Sequence, residues 1–225
     1  MKVRLLSYTK DAVELCAAAA QSCYSEKPAG ELLKEMKGKR PAKVLENIVG
    51  MGHHSVIEHA TYTYSVEGVS RALTHQLVRH RIASYSQQSQ RYVSLDRTEY
   101  VIPPSITGNA GTEREFRQLM DRVWEVYRYL SDKVEVEDAR YVLPNACSTN
   151  ITITMNAREL LHFFSLRCCN RAQWEIRAVA DEMLKVVKIV SPSIFQEAGP
   201  PCVRGKCPEG KMSCGKPRRM ELKKV

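Results

Sequence analysis

Between Gly68 and Leu95 the chain carries no Asp and no Glu, while Arg71, Arg79, Arg81 and Arg91 keep full charge at any physiological pH. Such a stretch needs anions, so the fold has to present it where anions can reach. Its densest part, His75 to Tyr92, gathers guanidinium, imidazole, hydroxyl and amide groups within eighteen residues. Arg offers a planar fork that grips phosphate or carboxylate through two parallel bonds, and hydroxyls and amides can fill the remaining acceptor sites of a phosphate. The plainer alternative is a solvated cationic helix end.

A length of 225 residues suits one ordinary domain with a full core, or one domain with appendages. With 44% hydrophobic and 26% charged residues, the composition is that of a soluble globular protein. No apolar run approaches the roughly 18 residues of a membrane span. Met1 to Ser7 lacks the apolar core and cleavage site of a signal peptide, so a cytoplasmic location is expected. Eight cysteines in a chain of this size and setting read mostly as reduced thiols, with Cys16 and Cys23 placed like core residues. The net charge of +9 is unevenly spread: from Pro200 onward the balance is +6, which leaves the body +3. That is too little, by charge alone, for a polyanion-binding face.

Read in order, a short apolar segment (Val3 to Ser7) leads to a core helix that Thr9 can cap, with Ala12, Val13, Cys16, Ala19, Ala20 and Cys23 at helical spacing. A short charged helix near Glu31 to Met36 follows. Pro41 then opens a helix whose buried side is Val44, Leu45, Ile48, Val49 and Met51, and which Gly52 ends. His53, His54, Glu58 and His59 fail every zinc spacing, and Ser55 with Glu58 reads instead as a capping box. Alternation from Ala60 to Val66 predicts a half-buried strand stopped by Gly68. Ser70 can cap a helix carrying Leu73, Leu77 and Val78, which delivers Gln76, Arg79 and His80 at its end, and Ser84 to Val93 reads as a loop entering a strand.

Thr112 and Glu115 suggest a second capping box, opening an amphipathic helix with Phe116, Leu119, Met120, Val123, Trp124, Tyr127 and Leu130 on one side. A shorter helix near Val136 to Leu143 carries Arg140. A strand from Ile151 to Met155 leads to Asn156, a good helix cap. The next helix turns Leu160, Leu161, Phe163, Phe164 and Leu166 inward, leaving Arg158, His162 and Arg167 on its polar side. A last helix begins near Gln173 and stops at Pro192. Beyond Phe195 the chain is rich in Gly, Pro and Cys and reads as an irregular tail. Cys202, Cys207 and Cys214 match no standard zinc pairing, so no metal is expected. Together these elements predict an α+β fold, a helix-rich single domain around a small, mostly antiparallel sheet. The domain spans residues 1–195 and the basic tail 196–225.

Arg79-His80-Arg81, seven residues, Ser89 and then Arg91 resembles the signature of the flavin-dependent thymidylate synthases. The resemblance extends to Gly52-His53 with Ser55, Glu58 and His59, to Arg140 through Pro144, to Asn156-Ala-Arg158, to Leu166-Arg167, and to Ala172 through Ile176. These blocks cover about residues 50 to 190 in the family's order. The resemblance implies methylation of dUMP with methylenetetrahydrofolate as carbon donor, FAD as cofactor and NADPH as reductant. It also implies a homotetramer with active sites between subunits. Ser55, Arg79, His80, Arg81, Gln87, Asn156, Arg158 and His162 match cofactor-binding positions. Gln76, Arg79, Gln87, Gln88, Ser89, Gln90, Arg91, Arg140 and Arg167 match nucleotide-binding positions, and Arg167 matches the residue that activates the uracil ring. Gln87 stands where some members have Glu, and His162 where some have Asn.

A nucleotide and a dinucleotide together bring three phosphorus centres, a demand that an arginine-rich loop can meet. Serine nucleophile chemistry is not expected, because no nearby carboxylate is expected to orient His80, and Ser89 reads as a phosphate donor. The competing function is an RNA- or DNA-binding module that uses residues 71–92, with Tyr85 or Tyr92 stacking on bases.

Overall fold

The computed structural model describes residues 1–37, 39–93 and 99–218. The end of the acid-free stretch (Ser94, Leu95) and the tail charges Arg219, Glu221, Lys223 and Lys224 lie outside the described residues. In chain order the elements are β1 (Lys2–Tyr8), α1 (Ala12–Ser22), α2 (Ala29–Met36), α3 (Pro41–Gly50), β2 (Thr61–Ser70), α4 (Arg71–Leu77), β3 (Ala83–Gln87), α5 (Pro104–Thr107), α6 (Ala110–Ser131), α7 (Val136–Ala139), β4 (Ser148–Asn156), α8 (Ala157–Arg167), α9 (Trp174–Val190) and α10 (Pro192–Phe195). Short 3-10 turns occupy His54–His59, Arg140–Val142, Pro201–Val203 and Gly210–Met212. The fold is α+β and rich in helix, with one antiparallel sheet in the order β1-β2-β4-β3. Among the described residues no helix is long and apolar enough to cross a membrane.

The chain divides into two compact units that interleave in sequence. The first comprises Met1–Lys2, Val66–Arg79 and Tyr85–Thr152. Its interior includes Val66, Val69, Leu73, Leu77, Met120, Tyr127 and Ile151. The second comprises Val3–Ser65, His80–Ser84 and Ile153–Val225. There α1 packs against α2 and α3 through Ala17, Ala18, Leu32 and Met36. The alanines let the helices approach closely. A second cluster joins Tyr62, Phe163, Phe164 and Phe195, with ring centroids 5.3 Å apart for Tyr62 and Phe195 and 5.8 Å for Phe163 and Phe164. The Tyr62 hydroxyl donates to Ser191 Oγ at 2.8 Å, so burying the tyrosine leaves its hydroxyl paired.

The strands alternate as period-two patterning demands. Tyr62, Tyr64 and Val66 of β2, and Ile151, Ile153 and Met155 of β4, are buried. Thr63 and Thr154, on the other face, join hydroxyls at 2.9 Å. Twice a strand passes straight into a helix through a polar cap. Ser70 Oγ accepts from Leu73 N at 3.0 Å where β2 becomes α4, and Asn156 Oδ1 accepts from Glu159 N at 2.9 Å where β4 becomes α8. These two junctions place the functional segments, since Gln76 to Arg81 follow from the first and Arg158 to Arg167 from the second.

Several local expectations are corrected. Thr9 caps nothing: its amide donates to Thr61 O at 3.0 Å, and α1 starts behind Asp11, which takes the left-handed φ of 51°. Gly68 does not stop β2. Its φ of 66° bends the strand, its amide donates to Asn150 Oδ1 at 3.0 Å, and pairing runs on to Ser70. Asn109, not Thr112, caps α6, accepting from Gly111 N and Thr112 N, and Glu115 plays no part in a box. Residues 83–87 are strand and the loop follows it, the reverse of the expected order. Cys23, Met51, Val78, Leu119 and Leu166 are exposed, because helical periodicity marks an apolar stripe without showing where its covered margin ends. On α8 the buried side includes Glu159, which was not among the residues expected inside.

Candidate active site

In the second unit, α8 builds a polar centre on an otherwise apolar stripe. Glu159, Phe163 and Arg167 are spaced four residues apart, so they stand one above another on the same helix face. His80 lies along all three. Its Nδ1 is 3.1 Å from Glu159 Oε1, its ring meets Phe163 edge-on at 4.9 Å, and its Nε2 accepts from Arg167 Nε at 3.0 Å. The His162 ring stands at 5.8 Å on another side. His80 is 4% exposed and Glu159 6%, so both groups sit away from water.

These contacts settle the protonation of His80. A guanidinium can only donate, so Nε2 is bare and the neutral ring carries its proton on Nδ1, which donates to Glu159. The environment agrees: burial first, then the charge of Arg167 and the neighbouring His162, push the imidazole down to about 4. Burial pushes the Glu159 carboxyl above its ordinary value, and His162 opposes this in part. The contact is therefore a hydrogen bond from a neutral imidazole and not an ion pair. A carboxylate does orient His80, contrary to expectation, and it arrives from 79 residues along the chain.

Around this centre, Arg158 Nη1 donates to Glu58 Oε1 at 2.6 Å, with both side chains roughly half exposed. That contact replaces the expected capping box: His54–His59 is a 3-10 turn with no side-chain cap, and Ser55 is exposed on it. Asn156 spends its side-chain oxygen on the α8 cap, which leaves its amide NH2 for other use. Arg81 and His162 are exposed.

The first unit holds the other group of expected residues. Gln76 is half-buried near the end of α4, and Arg79 is exposed just beyond it. Gln87 Nε2 donates to Thr74 Oγ1 at 3.2 Å and Thr149 Oγ1 at 3.3 Å, so its amide is held inside the unit. Gln88 pairs with Asn150 through backbone (2.9 Å) and side chain (3.3 Å), while Ser89 Oγ accepts from Arg91 N at 3.1 Å. Gln90 is half-buried. Arg91 Nε donates to Glu137 Oε2 at 2.7 Å, and Arg140 Nε to the carbonyl of the same Glu137 at 3.0 Å. Burial, and then the like charge of Arg140, pull the Arg71 guanidinium below its ordinary value. Arg91 thus pairs with the Glu137 carboxylate, Arg140 holds the backbone carbonyl of the same residue, and Arg71 lies near enough to feel the charge of Arg140. Arg79 and Arg81, which flank His80 in sequence, have no acidic partner among the described residues.

Sequence reasoning missed Glu159, Arg71 and Glu137 as members of these groups. For Glu159 a signal existed in its spacing from Arg167, but three residues after Asn156 it reads as an ordinary first-turn carboxylate. Among the described residues no group of three or more His, Cys, Asp or Glu is placed to hold a metal ion.

The family model described as "Thymidylate synthase complementing protein" matches residues 4–193. The chain is 49% identical to the flavin-dependent thymidylate synthase of Clostridium tetani, over 100% of this chain and 96% of that protein. Its identity to the protein of the same name from Geobacter sulfurreducens is 52%, over 96% of this chain and 94% of the relative. For the Pyrococcus furiosus protein of that name the identity is 42%, over 100% and 98%. With a family match across most of its length and relatives this similar from end to end, the chain belongs to the flavin-dependent thymidylate synthase family.

Proposed function

We propose that this protein methylates dUMP to dTMP, taking the carbon from methylenetetrahydrofolate and using FAD reduced by NADPH. The observation that carries this reading is the identity of 42 to 52% to proteins named flavin-dependent thymidylate synthase over nearly the whole chain. The donor set fits phosphate-bearing ligands. Arg79 and Arg81 are exposed without an acidic partner among the described residues, and Arg71 and Arg140 crowd like charges that a bound anion would relieve.

FAD is assigned to Ser55, Arg79, His80, Arg81, Gln87, Asn156, Arg158 and His162. The exposed guanidiniums suit its diphosphate, and the Asn156 amide supplies a donor. When bound and reduced, the flavin supplies the hydride that completes the methyl group. dUMP is assigned to Gln76, Arg79, Gln87, Gln88, Ser89, Gln90, Arg91, Arg140 and Arg167. Arg91 and Arg140 hold the phosphate. Arg167 is the catalytic residue: its charge stabilises the negative charge that develops on the pyrimidine N3 and carbonyl oxygens as the ring becomes a carbon nucleophile.

We further assign residues 1–195 to the synthase domain and 196–225 to a basic tail. The working form is a cytoplasmic homotetramer whose active sites lie between subunits. A nucleic-acid-binding role for residues 71–92 finds no support in the relatives' names, and it leaves the chain from buried Glu159 and His80 to Arg167 without a use. It also weakens on its own residues, since Arg91 is paired with Glu137 and the Tyr85 hydroxyl donates to Leu77 O at 2.9 Å.

Anaerobic incubation of the flavin-loaded protein with dUMP, methylenetetrahydrofolate and NADPH tests the reading. Formation of dTMP is expected, and its absence with any one component left out. Flavin-loaded protein that forms no dTMP from the complete mixture would overturn the assignment.

A further inference from the structure

We infer that Glu159 is a positioning residue for Arg167, acting through His80. The inference rests on the catalytic role proposed for Arg167 and adds to it a group that touches neither substrate nor cofactor. Three observations carry it. Glu159 and His80 are both nine-tenths or more buried, their hydrogen bond is 3.1 Å, and the other His80 nitrogen accepts from Arg167 at 3.0 Å. A carboxylate in an apolar interior is costly unless it is paired, and Glu159 stands on a face otherwise given to Leu160, Phe163 and Phe164.

The linkage works through the tautomer. A carboxylate oxygen beside Nδ1 accepts only a proton-bearing nitrogen, so Glu159 keeps the proton on Nδ1. Nε2 is then a lone-pair acceptor, and it holds the Nε–H of Arg167. The opposite tautomer would set a bare Nδ1 against the carboxylate and an Nε2–H against the guanidinium, losing both bonds and adding repulsion at each end. With Nε anchored, the two terminal nitrogens of Arg167 make no hydrogen bond among the described residues. The planar fork is therefore held at its base and kept open at its tip, which is what a two-point contact to a pyrimidine edge requires.

Glu159 also reaches the β4–α8 junction, because its own backbone N–H is the donor to the Asn156 cap. One residue thus connects the start of α8, the imidazole and the guanidinium at the helix's far end.

The test is nitrogen NMR of histidine-labelled, full-length, flavin-loaded protein, with the His80 signals assigned by their loss in His80→Gln. The wild type is expected to show a protonated Nδ1 and an unprotonated Nε2 at neutral pH. Glu159→Ala is expected to lose that preference, with flavin content and KM for dUMP near normal and kcat lower by about ten- to a hundredfold, the range for a misplaced catalytic group or a lost charged hydrogen bond. Glu159→Gln, which keeps an acceptor oxygen of the same reach, is expected to recover most of the rate. A wild-type His80 with its proton on Nε2 would overturn the inference without need of any variant, and so would a folded Glu159→Ala of normal kcat. Wild-type protein that forms no dTMP would overturn the reaction assignment but not the linkage, which the nitrogen shifts test by themselves.

Discussion

Glu159 and Arg167, eight residues apart on one face of α8, bond to opposite nitrogens of the same imidazole, at 3.1 Å and 3.0 Å. A helix stripe normally given to packing has been used to string together an acceptor, a relay and a cation.

The cation at the end of that string should matter to rate more than to affinity. In Arg167→Lys a compact ammonium keeps charge but loses the fork, and it cannot both hold His80 and make a two-point contact. Turnover is expected to fall roughly a hundred- to a thousandfold, by analogy with removal of an oxyanion donor. FAD content should be unchanged. Single-turnover methylation at saturating dUMP, measured beside dUMP affinity, checks this. A normal chemical rate with weaker binding would reduce Arg167 to a substrate holder.

The phosphate site predicts the opposite division. Arg91→Ala should raise the dUMP dissociation constant about ten- to a hundredfold, the loss of a charged hydrogen bond. Glu137→Gln, which removes the acid now paired with Arg91, should bind dUMP at least as tightly as wild type. Titration calorimetry on both variants decides the matter, and unchanged affinity in Arg91→Ala would remove that residue from the site.

Burial of His80 gives stability a pH dependence of known sign. Its imidazole sits near 4 in the folded protein against an ordinary 6.5, so the unfolded chain takes up the proton first as pH falls. The contribution is present above about 6.5 and is lost as pH falls toward 4, to the extent of at most about 3 kcal/mol. Glu159 acts in the opposite sense. Its raised pKa makes the folded state keep a proton that the unfolded chain releases, so its contribution declines as pH rises above the ordinary carboxylate range. His80 therefore adds a rise in urea midpoint between pH 4 and pH 7.5, against which Glu159 works. In His80→Gln the rise should be smaller, and an identical slope in that variant would contradict the assignment.

No cysteine is expected to serve as a methylation nucleophile. Burial pushes Cys16 and Cys147 up to about 11, and Cys168 further, so these three stay protonated and inert at neutral pH. Each of eight single Cys→Ala variants, loaded with flavin, should retain dTMP formation. One folded but inactive variant would sink the prediction.

The parts of the fold that were readable in the sequence are those set by short-range chemistry. Ser70 and Asn156 cap their helices as their side chains allow, Pro41 begins α3, and the alternation of Tyr62, Tyr64 and Val66 marks the buried face of β2. Errors arose where a side chain had two possible partners and the winner lay far away. Thr9 chose Thr61, Glu58 chose Arg158, and Glu159 turned inward to His80. Periodicity cannot weigh those options, because the competing bond joins residues 52, 100 or 79 positions apart. For the site, the acid-free stretch correctly signalled cations without local partners at Arg79 and Arg81. It could not show that Arg91 meets Glu137 or that Arg71 and Arg140 share a neighbourhood.

The tail's hold on α9 bears on the order in which the chain can fold. Arg218 grips Asp181 of α9 with two bonds, at 2.5 Å and 2.7 Å, and Asn170 Nδ2 donates to Lys216 O at 2.8 Å. On a growing chain Asp181 is made 37 residues before the arginine that pairs with it. In the folded chain Asp181 lies beside the buried Cys168, and Arg218 answers its charge. Pairing of Asp181 with Arg218 is therefore a late contact in folding, made after the sequence of α9 is already present.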